Sequence, residues 1–81
     1  MISISIKDFV NKSAEANPGT NIAELTESCK SVLNDKRTGA VCQLCGGEIW
    51  AAGAAVTGTY LCFSCMTGES DDSEDYEIMQ N

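Results

Sequence analysis

The first residues alternate isoleucine with serine, so that Ile2, Ile4 and Ile6 recur at every second position, the spacing of one strand face. A second pattern overlaps the first. Ile6 begins a set in which Phe9, Val10 and Ala14 follow at offsets of three, four and eight, one face of a helix, and Ser5 stands at the N-cap position. The segment therefore reads as a helix from about residue 6, with a strand on the three isoleucines as the alternative. Asn17-Pro18-Gly19-Thr20-Asn21 is a turn by its chemistry, since Pro18 fixes its own φ and pushes Asn17 toward extended backbone. Thr20 or Asn21 then caps a second helix with Ile22, Leu25, Cys29, Val32 and Leu33 on one stripe. Glu24 and Glu27 lie early in it and Lys30 and Lys36 late, as the helix dipole favours. Gly39 closes the helical region.

From Val41 to Gly68 the pattern changes. This stretch holds four of the five cysteines, five glycines and Trp50, with Glu48 as its one charged residue. Glu48-Ile49-Trp50-Ala51 and Thr59-Tyr60-Leu61 are β-prone, and Gly53 and Gly58 bracket a reversal, which predicts a β-hairpin. The expected fold is small α+β: an N-terminal helical segment (1–38), a four-cysteine zinc-ribbon hairpin (39–68) and a flexible acidic C-terminal tail (69–81). At 81 residues the core is thin, and a metal would supply the missing constraint.

Cys42-Gln43-Leu44-Cys45 and Cys62-Phe63-Ser64-Cys65 form two Cys-x-x-Cys pairs separated by sixteen residues, the layout of a four-cysteine zinc site. Two residues between ligands let a tight turn aim both sulfurs at one ion, and Gly46, Gly47 and Gly68 can adopt the positive φ such turns use. The expected cofactor is one structural Zn²⁺ on Cys42, Cys45, Cys62 and Cys65, because four thiolates leave no open position for water or substrate. Iron, as in rubredoxin, and a redox or disulfide pair of thiols are the alternatives. Cys29, on the helical stripe, reads as a small buried packing residue.

Cys-Gln-Leu-Cys-Gly-Gly-Glu-Ile, followed by Thr-Gly-Thr-Tyr-Leu-Cys-Phe-Ser-Cys, resembles the zinc finger of DksA/TraR-type regulators over about 27 residues. That resemblance implies the same ligand set, a turn at Gly46, and RNA polymerase as one possible partner. Two departures are visible. Ala51 to Ala55 stand where that family places basic residues between the knuckles, and an acidic stretch replaces the helix that follows its last cysteine.

Charge narrows the choice of partner. The chain has twelve acids against five bases, and residues 69–81 hold six of those acids and no base. Only Lys36 and Arg37 adjoin, so direct nucleic-acid binding by the ribbon is the disfavoured alternative. A protein partner with a basic surface, such as RNA polymerase or another nucleic-acid enzyme, is expected, with the chain as regulator or inhibitor. Trp50, Tyr60, Phe63, Tyr76 and Ile78 are the candidate partner-binding residues, and removing residues 69–81 is expected to weaken binding while leaving the fold intact. With no histidine and no nucleophile, phosphate or dinucleotide motif, the chain is not expected to be an enzyme. No secretory signal or membrane-length apolar run is legible, so a cytoplasmic protein without membrane contact is expected.

Overall fold

Both N-terminal patterns form, and Ser5 is the boundary between them. In the computed structural model, which describes residues 1–79, strand β1 runs Ile2–Ser5 and helix α1 runs Ile6–Ala16. The Ser5 hydroxyl accepts the Asp8 N–H at 3.1 Å and so caps α1. The strand exists because it has a partner: β2 (Tyr76–Met79) lies parallel to it in the register Ile2 with Tyr76, Ser3 with Glu77, Ile4 with Ile78 and Ser5 with Met79. Ile4 and Ile78 face each other in the core, 7% and 3% exposed.

Helix α2 (Ile22–Arg37) starts at Asn21, whose side chain accepts from the Glu24 N–H at 3.1 Å. The other capping candidate, Thr20, instead closes the preceding turn by donating to the Asn17 carbonyl at 2.7 Å. The stripe of α2 buries Cys29, Val32 and Leu33, but Ile22 in its first turn is 52% exposed.

The predicted hairpin between the cysteine pairs is replaced by helix α3 (Ala51–Thr57), and a second short helix, α4 (Phe63–Thr67), carries the last cysteine. Four alanines within five residues favour helix over the strand-prone residues beside them. Small side chains also let α3 lie close against α2. What survives of the hairpin is one backbone bond between its predicted strands, Trp50 N–H to Leu61 O at 2.9 Å; the isolated Val41–Glu48 bridge lies across the first knuckle, and the Gln43 N–H reaches Tyr60 O at 3.0 Å.

The C-terminal segment is also more structured than its composition predicts, since Tyr76–Met79 forms β2 and Ile78 is a core residue. The last two residues of the 69–81 segment lie outside the described residues. Burying Ile78 and pairing with β1 offset the repulsion among neighbouring carboxylates, and Asp72 lies 3.5 Å from the terminal ammonium of Met1. Removing 69–81 would therefore strip out a strand and a core side chain, contrary to the expectation that the fold is indifferent to it. The core draws on β1, α1, α2, α3 and β2 together. No helix among the described residues is long and apolar enough to cross a membrane.

Candidate metal centre

The first cysteine pair sits on a turn closed by its own backbone. The Cys42 N–H donates to Gly47 O at 2.7 Å and the Gly46 N–H to Cys42 O at 3.0 Å. Gly46 has φ of 78°, a left-handed conformation that a side chain would strain. Within this turn the N–H groups of Leu44 and Cys45 point at the Cys42 sulfur, 3.4 and 3.5 Å away. The second pair repeats the device on a helix: Cys62 caps α4, and its sulfur accepts from the Cys65 N–H at 3.4 Å.

All four sulfurs lie within 4.8 Å of one another, with Cys45 and Cys62 3.5 Å apart. A tetrahedral ion bound to thiolates at about 2.3 Å needs sulfurs about 3.8 Å from each other. The cluster fits such an ion, and Cys42, Cys45, Cys62 and Cys65 can hold a metal. Cys42 is buried, Cys62 and Cys65 are half-buried, and Cys45 is exposed. Cys29 is fully buried in the core, where burial pushes its thiol up from 9.0.

Protonation of the cluster points the same way. Burial raises the Cys42 thiol, but the backbone N–H donors around its sulfur outweigh this and bring it down to about 6. Cys65 behaves oppositely. Hydrogen bonds to the Cys62 and Cys42 sulfurs, reinforced by burial, push it up to about 12. Four sulfurs this close thus accept the first negative charge readily and resist the last, which is the charge a cation would balance.

The centre is held in place by residues distant in sequence. Trp50, the N-cap of α3, offers no side-chain cap, and Glu77 of β2 takes that role. Its carboxylate accepts the Ala51 and Ala52 N–H groups, each at 2.9 Å, and the Lys36 ammonium at 3.0 Å. The Trp50 indole N–H donates to the Tyr76 carbonyl at 2.8 Å, and its ring meets Phe63 edge-on with centroids 4.9 Å apart. Phe63 directly follows a ligand position, so α3, β2 and the second knuckle are clamped together. Tyr60 donates to Asp35 of α2, and that bond, with burial, raises its hydroxyl from 10.0.

The five partner-binding candidates are therefore placed differently. Phe63 and Ile78 are buried, Trp50 and Tyr60 are half-buried, and Tyr76 is 37% exposed. Glu77 and Lys36 were not legible as a capping pair, since nothing local distinguishes Glu77 from the acids around it. Leu44 at the tip of the first knuckle is 73% exposed, a position its place between two inward-pointing ligands could have flagged.

No protein-family model, curated protein or solved structure matches the chain. The resemblance to DksA/TraR-type fingers rests on the motif residues alone.

Proposed function

We propose that the chain binds one structural Zn²⁺ through Cys42, Cys45, Cys62 and Cys65, and that the module so formed docks on a basic protein surface as a regulator or inhibitor. The observation that carries this is the convergence of four sulfurs within 4.8 Å on two N–H-lined turns. Four thiolates saturate a tetrahedral ion, which supports a structural rather than catalytic role and a non-enzymatic protein. The ion supplies positive charge at the centre of the cluster; the chain supplies the sulfurs, the donors to them, and the clamp of α3 by Glu77.

The partner reading rests on charge. The protein carries a formal charge of −7, and Glu69, Asp71 and Glu74 are exposed on one loop between α4 and β2. Such a surface attracts a basic protein patch, of the kind a nucleic-acid enzyme presents, and repels a phosphate backbone. Native mass spectrometry of the purified chain should find one zinc per chain; iron, or a metal-free disulfide-bonded chain, overturns the metal assignment. A partner recovered from the native host should bind through a basic surface and weaken as salt rises. Salt-independent binding, or binding to an acidic surface, overturns the docking assignment.

A further inference from the structure

A cleft of about 290 Å³ opens where α1, α3, α4 and β2 meet. Phe9, Trp50, Val56, Met66 and Tyr76 line it, with Asp75 at its polar side. It is nearly all apolar, yet two of its apolar residues remain in solvent, Val56 at 62% and Tyr76 at 37% exposed.

The cleft is built rather than left over. Hydrogen bonding to the Tyr76 carbonyl and the edge contact with Phe63 hold the Trp50 ring in one position. Gly53 keeps the wall open to both neighbours: a Cβ there would come within 2.4 Å of the Met66 sulfur and of the Trp50 ring. A binding surface ordered in advance spends less of its interaction energy on immobilising side chains, and Trp, Tyr and Met are residue types that anchor partners.

The geometry points to this cleft as the seat of one large apolar side chain of the partner, a leucine, methionine or phenylalanine, flanked by lysine or arginine. This rests on the docking reading above and gives it a place. An opening of about 290 Å³ has room for a large apolar side chain. Charge selects the flanks. The segment joining Met66 on one wall to Tyr76 on another is the acidic loop, in which Glu69, Asp71 and Glu74 are exposed. Hydrogen bonds from the Ser73 N–H and hydroxyl keep Asp71 ionised below the usual carboxylate range. Lys12, 5.4 Å from the Tyr76 ring centroid, stands at the same rim and competes with an incoming base for that ring.

NMR titration of the metal-loaded full chain tests this with three blocked pentapeptides: leucine between pairs of lysines, serine between pairs of lysines, and leucine between pairs of glutamates. The first should shift the Trp50 indole and the Val56 and Met66 methyl signals, and each of the others should bind about tenfold more weakly or less. Val56→Lys should weaken the first peptide about tenfold, since the residue is exposed and a lysine near the end of α3 suits the helix dipole. Lys12→Gln should tighten it. If the lysine peptides shift only Glu69, Asp71 and Glu74, the cleft is wrong and the basic-partner reading survives. If no signal moves anywhere, both fall. Equal binding of the glutamate peptide, or an unchanged affinity in Val56→Lys, also overturns the cleft.

Discussion

Glu77 stands in a strand yet works for a helix 25 residues away, accepting from two of its N–H groups and from Lys36. Alanine at this position leaves two N–H groups of α3 and the Lys36 ammonium without their acceptor in half-buried surroundings. Losing a helix cap together with charge-assisted bonds should cost about 2–3 kcal/mol in denaturant titration of the metal-loaded chain. Glu74→Ala, an exposed neighbour, should change stability by no more than about 0.5 kcal/mol, and equal effects of the two would remove the capping role. Two other residues set a limit at high pH. Cys29 is raised above 9.0 by burial, and Tyr60 above 10.0 by its bond to Asp35 and by burial. The unfolded chain therefore loses these protons first, so the folded state binds more protons and stability must fall as pH climbs. Stability should hold below about pH 9 and decline above it, and Cys29→Ala with Tyr60→Phe should flatten that decline in pH-dependent melting.

Among the elements, α3 explains most of the difference between the expected and observed folds. Its flanks do approach each other, through the Trp50 and Leu61 bond, but the alanines between them satisfy their own backbone in a helix before a strand can pair. The four clustered cysteines were legible because Cys-x-x-Cys spacing is a local constraint: two residues suffice to close each turn. The helices α1 and α2 were legible for the same reason, through Ser5, Asn21 and the buried stripe at Cys29, Val32 and Leu33. Strand β2 was not, because its stability comes from Ile4 and the N-terminus of α3, partners that no window around residue 77 contains. Gly53 tests how tightly α3 is packed. Alanine there gains up to about 1 kcal/mol of helix propensity, but its Cβ would overlap the Met66 sulfur and a Trp50 ring that cannot swing away without breaking its bond to Tyr76. The overlap should win, for a net loss of about 1–3 kcal/mol with altered Trp50 fluorescence. Gly19→Ala, whose Cβ meets nothing within 4 Å, should stay within about 0.5 kcal/mol of the parent.

For the whole molecule the question is how far the loss of an ion at the cysteines would spread. A knuckle that merely decorated a stable helical pair would unfold alone. Here α2 packs more extensively on α3 than on α1, and Cys29, Val32 and Leu33 share one core with Ile49, Ala51, Ala52, Ala54 and Ile78. Freeing the four sulfurs removes the anchors at both ends of α3. That in turn releases the N–H groups Glu77 accepts, and with them the strand that pairs with β1. If the ion is zinc, as proposed, its binding is worth on the order of 10 kcal/mol, comparable to the whole stability of a domain this size, and its loss would leave little to hold α1 and α2 together. Helices α1 and α2 contain more than twice as many residues as α3 and α4. A strong chelator should therefore abolish most of the far-ultraviolet helical signal in one transition, and added zinc should restore it. If the signal falls by less than about a third, the amount α3 and α4 alone carry, then α1 and α2 stand without the ion and the single-core account fails.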